Sequence, residues 1–201
     1  MTKNVTMLRR MALAAGLLAV TLPAAAHPGH GTDGGFVNGL LHPVTGIDHL
    51  LALLAVGLWS RQQRHGVVLG PTFLVLMALG AASAGSRIVV PALELSIAAS
   101  VLLLGVLAAC TPALQRRVRP ELAVVTVGAC AFLHGLAHGN ELSGELSGEL
   151  IGELSGISSG AGFLLASALV MLAGALPVAR LRRALGAAIG AAGVWLVALA
   201  A

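Results

Sequence analysis

The sequence predicts an all-α membrane protein, a six-transmembrane helix bundle left after removal of an N-terminal signal peptide. Three observations lead there. Of 201 residues, 57% are hydrophobic and 10% charged, with a mean hydropathy of +0.93, whereas a soluble domain averages about 45–50% apolar and about 25% charged. Six apolar segments each approach the ~20 residues a helix needs to cross a bilayer. The arginines, finally, fall almost entirely on one side of those segments. A water-soluble enzyme, a nucleic-acid binder and a disordered chain are excluded by that composition. The basic pI of about 10.5 comes from 12 Lys and Arg against 8 Asp and Glu, and that imbalance is read as membrane topology.

Residues 1–26 form the signal peptide. Lys3, Arg9 and Arg10 make a positive start, Met11–Leu22 is apolar, and Pro23 leads into the small residues Ala24, Ala25 and Ala26. An apolar run of about 12 residues is too short for a hydrocarbon core of ~30 Å; an uncleaved anchor is the alternative. Cleavage after Ala26 starts the mature chain, 27–201, at His27 on the exported side, with its N-terminus in the periplasm of a bacterial inner membrane.

The six spans run over Phe36–Ser60, Val67–Gly85, Pro91–Cys110, Leu122–Gly139, Gly160–Pro177 and Ala184–Ala201. Helices are expected because backbone polar groups in lipid must be satisfied within their own segment, and no period-2 alternation suggests a barrel. Abundant Gly, Ala and Ser suit closely packed membrane helices. With the mature N-terminus outside, the inner loops carry Arg61, Arg64, Arg116, Arg117, Arg119, Arg180, Arg182 and Arg183, and the outer connections carry Arg87. That asymmetry obeys the positive-inside rule without using any residue of the signal peptide.

One internal repeat, ELSG-ELSG-ELIG-ELSG over 141–156, occupies the outer connection between spans four and five. As a helix it would stack glutamates at i,i+4 and place a glycine in every turn, so an irregular or partly helical acidic loop is expected. Repeat expansion without chemistry and a weak funnel for cations are its two readings.

Chemistry concentrates in two helices that should be apolar. HPVTGIDH contains His42, Asp48 and His49; the histidines are two helical turns apart, so a continuous helix puts them on one face. Pro43 and Gly46 loosen that helix. HGLAHGNE contains His134, His138 and Glu141 at i, i+4 and i+7. Span one runs inward and span four outward, which brings both motifs to the outer half of the bilayer. An intramembrane carboxylate costs ~2.5–3.5 kcal/mol at a helix centre, so these groups need partners. A hydrogen-bonded structural cluster and a proton relay are two solutions. A divalent metal site fits best, since imidazole suits nickel, copper, zinc and cobalt and carboxylate completes the shell.

HPVTGIDHLLALLAVGLW resembles the first-span signature of the HupE/UreJ family of hydrogenase and urease accessory membrane proteins, regarded as nickel or cobalt permeases. FLHGLAHGNEL resembles that family's second signature, and GFLLASAL (Gly162–Leu169) its fifth-span pattern. The resemblance covers nearly the whole mature chain. It implies secondary uptake of Ni2+ or Co2+ as transported substrate, with no prosthetic group. The matching metal positions are His42, Asp48, His49, His134, His138 and Glu141. A functional link to hydrogenase or urease maturation is implied as well. Two features depart from the pattern: the ELSG expansion of a usually short loop, and Met171 where a histidine is expected in span five. A thioether suits a soft ion.

Lesser candidates are His27 and His30 in HPGHG as an outer capture site or a polar tail, and Cys130 one turn below His134 as a path element or a small hydrophobe. Cys110 lies too far away to pair with it. Glu94 sits at a helix start near the outer surface, where an anion is favoured anyway, so a site role and a purely local one are its two readings; His65 is a solvated loop residue. No G-x₄-GK[ST] signature is present, which leaves a gradient, the membrane potential or intracellular trapping to drive uptake. The alternative from another class is a membrane-embedded zinc hydrolase using the same His/Asp cluster.

Overall fold

The computed structural model describes residues 35–83, 88–145 and 149–201, except the side chains of 140–155. Residues 1–26, which the sequence predicts to be a signal peptide, and His27, His30 and Arg87 lie outside the described residues. Among the described residues all regular structure is helical. In chain order the helices are α1 (Gly35–Thr45), α2 (Ile47–Ser60), α3 (Leu69–Ala82, entered through a 3₁₀ turn at Gly66–Val68), α4 (Leu93–Ala109), the short α5 (Pro112–Gln115), α6 (Pro120–Glu145), α7 (Glu149–Ala175) and α8 (Ala179–Ala200).

Three stretches are long and apolar enough to cross a membrane: Pro120–Gly139, Gly156–Ala175 and Ala179–Ala200. Helices α1 and α2 make a fourth when taken together, although they are bent by 79°. The turn with α3, and α4, are apolar but shorter. Large apolar side chains face outward, among them Val125, Leu172 and Leu199, each more than 60% exposed. Such a surface opposes solubility in water and is neutral in hydrocarbon. The fold is that of a helical membrane protein.

The first predicted span is broken where the sequence predicted a continuous helix. Gly46 adopts extended backbone (φ −84°, ψ 107°) at the junction of α1 and α2. Pro43, buried inside α1, has no N–H to give to the ladder, and a helix that starts afresh leaves its first N–H groups bare. The Asp48 carboxylate answers one of them, its Oδ1 accepting from the His49 backbone N–H at 2.7 Å. Thr45 Oγ1 donates to the His42 carbonyl at 2.9 Å on the other side of the break. The shared-face argument for His42 and His49 therefore fails, because no single helix carries both.

Glycines let four helix pairs approach backbone to backbone. A Cβ added to Gly39 would lie under 3.0 Å from the backbone of Ser159 and Phe163, and one on Gly57 would meet Met171 in the same way, so α1 and α2 pack in parallel along α7. Gly80 meets Phe132 and Leu136 while Gly128 faces Thr72 and Leu76, so α3 and α6 are parallel too. Gly105 meets Gly190 and Gly193 meets Leu102, so α4 and α8 are antiparallel. The buried core, with Leu53, Val56, Trp59, Phe73, Met77, Val101, Leu104 and Val127 all essentially inaccessible, fills the space between these pairs.

One end of the bundle collects the arginine-bearing connections. Gln62 Nε2 donates to the Ala108 carbonyl at 2.8 Å, Gln63 Nε2 to Gln115 Oε1 at 2.6 Å, and Arg183 Nε to the Ala109 carbonyl at 3.3 Å. The three loops holding Arg61, Arg64, Arg116, Arg117, Arg119, Arg180, Arg182 and Arg183 thus lie together. Of the two forms expected for the ELSG segment, its described part takes the helical one: α6 runs to Glu145 and α7 begins at Glu149. Helices already nucleated in the flanking spans propagate cheaply, and Glu and Leu are good helix formers.

Candidate metal centre

The histidines meet at the end of the bundle away from the arginines. His42 from α1 and His138 from α6 approach with Nε2 and Nδ1 2.9 Å apart, both half-buried. Beneath them His49 from α2 and His134 from α6 face each other, Nδ1 to Nδ1, at 3.4 Å. This lower pair is buried, with 0% and 1% of its surface exposed. The numbering rises in α1–α2 as it falls in α6, so the two elements are antiparallel. The break at Gly46 turns α2 so that both histidines still reach one helix.

The rings are closely stacked. His49 stands edge-on to His138 with centroids 4.7 Å apart, and His42 to His138 at 4.6 Å. Phe163 of α7 stacks on His49 at 5.0 Å and packs against His42 and His138 at 5.4 and 5.3 Å. Phe73 closes the lower side at 6.3 Å from both His49 and His134. Ser100 of α4 lies behind His134, its Oγ 2.9 Å from Nε2.

Four predicted site residues, His42, His49, His134 and His138, are thus brought together. Asp48 is half-buried at the start of α2 with one oxygen on the His49 N–H. Glu141 falls on the uninterrupted part of α6, in register with His134 and His138, and its side chain lies outside what is described. Among the described residues no three His, Cys, Asp or Glu groups converge as a ready metal site, because the imidazoles address one another in pairs. Two imidazole nitrogens on one ion, each about 2.1 Å from it, stand roughly 3.0–3.4 Å apart, depending on the angle. The pairs observed here are at separations where they share either a proton or a cation.

Of the lesser candidates, Glu94 and His65 are exposed. Cys130 is buried one turn from His134, and both cysteines are free. Met171 is buried two turns along α7 from Phe163, its backbone against Gly57, so the α7 residue at the histidines is Phe163. Sequence reasoning missed Phe163 and Ser100. Ser100 had a readable signal: it shares the buried stripe of Ile97, Val101, Leu104 and Ala108 in an otherwise apolar helix.

Fold and site together define a helical membrane protein with an imidazole cluster between antiparallel spans. The chain belongs to the HupE/UreJ protein family, which matches residues 15–201. It is similar to Protein HupE of Rhizobium leguminosarum bv. viciae, 38% identical over 129 residues, which are 63% of this chain and 65% of that protein. The chain thus covers slightly less than two thirds of that relative's length. No solved structure matches it.

Proposed function

We propose that this protein is a six-span secondary carrier that takes up Ni2+ or Co2+ from the periplasmic side of a bacterial inner membrane and delivers it inward for hydrogenase or urease maturation. It works as a carrier and not as an enzyme. The observation that carries the reading is the meeting of His42, His49, His134 and His138 inside a membrane bundle. Asp48 at the start of α2 and Glu141 on α6 complete the set of oxygen and nitrogen donors suited to such ions.

The helix directions support six crossings. Alternating spans require the first and fifth, and the second and fourth, to be parallel and the third and sixth antiparallel. The glycine contacts of α1–α2 with α7, α3 with α6 and α4 with α8 have these senses. The 17 residues of α4 meet the lower end of the ~17–25 residues that crossing needs. The arginine end then faces the cytoplasm and the histidine end the periplasm.

Transport follows from the layering. The half-buried pair His42 and His138 meets an incoming ion first, and the buried pair His49 and His134 lies one step inward. An incoming ion takes imidazole nitrogens that carry no hydrogen and turns the rings toward itself. Ligation needs neutral histidine, so acidification competes with cargo.

Uptake of radiolabelled Ni2+ in cells lacking their own transporters tests the reading, with unlabelled Co2+ as competitor. Accumulation is expected with the wild type and none with His49→Ala, the variant remaining in the membrane. Equal accumulation by both defeats the proposal.

A further inference from the structure

We infer that Ser100 is a positioning residue that fixes the tautomers of the two buried histidines and leaves His49 Nε2 as the bare, ion-facing nitrogen. Ser100 Oγ lies 2.7 Å from the Ile97 carbonyl and 2.9 Å from His134 Nε2. A carbonyl only accepts, and a serine hydroxyl has one proton. That proton goes to Ile97, the usual back-bond of a helical serine. Ser100 Oγ therefore accepts from His134, whose Nε2 carries hydrogen.

A neutral imidazole has one N–H, so His134 Nδ1 is a lone pair. It faces His49 Nδ1 at 3.4 Å. Two lone pairs there would repel in a site closed to water, so His49 Nδ1 carries hydrogen and donates to His134. His49 Nε2 is then bare. This nitrogen is buried and makes no hydrogen bond, in a residue with 0% of its surface exposed. Its ring stacks on Phe163 and stands edge-on to His138. An unpartnered polar atom is costly in such surroundings, and here it is the lone pair a cation takes.

The relay Ile97 C=O, Ser100 O–H, His134 N–H and His49 N–H is polarised in one direction throughout. Such a chain fixes the orientation of the His49 ring and keeps its Nε2 free of hydrogen, as outer partners do for metal-bound histidines elsewhere. His134 then acts through His49. Ser100 is the third-span contribution to a cluster whose histidines come from the first and fourth spans. The link to metal affinity rests on the carrier reading; the tautomers do not.

Nitrogen-15 solid-state NMR of histidine-labelled, metal-free wild-type protein in lipid reads the tautomers directly. His134 protonated at Nε2 and His49 protonated at Nδ1 are expected. In Ser100→Ala the His134 preference is lost and Ni2+ binding weakens roughly 10–100-fold, the usual effect of removing such a partner. Ser100→Thr, which keeps the hydroxyl, restores both. Wild-type His134 protonated at Nδ1, or tautomers unchanged by Ser100→Ala, overturns the assignment. A wild type that shows the expected tautomers and binds no Ni2+ supports the relay and defeats the carrier reading alone.

Discussion

Gln115 pins the short helix α5 across the arginine end of the bundle, and removing its acceptor oxygen has a calculable cost. Its Oε1 accepts from Trp59 Nε1 at 2.8 Å and from Gln63 Nε2 at 2.6 Å, and its own amide donates to the Leu107 carbonyl. Trp59 is 1% exposed and Gln115 4%, so neither finds water if the other is changed. Gln115→Met keeps the shape and strands the indole N–H, a loss of about 1–3 kcal/mol. Gln63 is half-buried and recovers its bond from solvent. Trp59→Phe removes the donor and leaves Gln115 with Gln63, costing about 0.5–1.5 kcal/mol for the hydrogen bond besides the void left by the smaller ring. Differences in transfer free energy cancel in the double-mutant cycle, and a coupling of about 1 kcal/mol is expected for the pair. Unfolding of the purified protein in mixed micelles, for wild type, both single variants and the double variant, measures it. Additivity within about 0.3 kcal/mol refutes the buried hydrogen bond.

Other expectations follow from the same packing. Gly105→Leu drives a side chain into the Gly190 backbone and should separate α4 from α8, read as loss of folded protein after extraction, whereas Gly70→Leu, with nothing near its Cβ, should be extracted normally. Phe163→Ala removes the ring that three histidines lean on; Ni2+ uptake should fall without a fall in membrane-inserted protein, and unchanged uptake would mean that the stack does not order the site. Arg64→Cys, in a background without Cys110 and Cys130, should resist a membrane-impermeant thiol reagent added outside the cell, and rapid labelling would reverse the proposed orientation.

Much of the fold is legible because lipid simplifies the code. Apolar length marks α6, α7 and α8, and the loop arginines that the sequence assigned to one side do gather at one end. The histidine motifs were legible for a similar reason, since ionisable groups inside apolar segments are costly. The break at Gly46 was only half visible. Pro43 and Gly46 announced a weakened helix, but a 79° bend depends on how α1 and α2 lie against α7. Pairing was hidden as well, for a glycine such as Gly80 or Gly105 looks alike in sequence whichever backbone it meets. Phe163 and Ser100 escaped because a phenylalanine or a serine costs little in a membrane helix, so neither signals a site until the histidines are seen beside it.

X-ray absorption at the nickel edge of the purified protein loaded with Ni2+ in lipid reads whether the histidines hold the ion. Multiple scattering from at least two imidazoles is expected in the wild type, diminished in His49→Ala and in His42→Ala. A nickel spectrum without imidazole scattering, or one that both substitutions leave unchanged, contradicts ligation by the histidines.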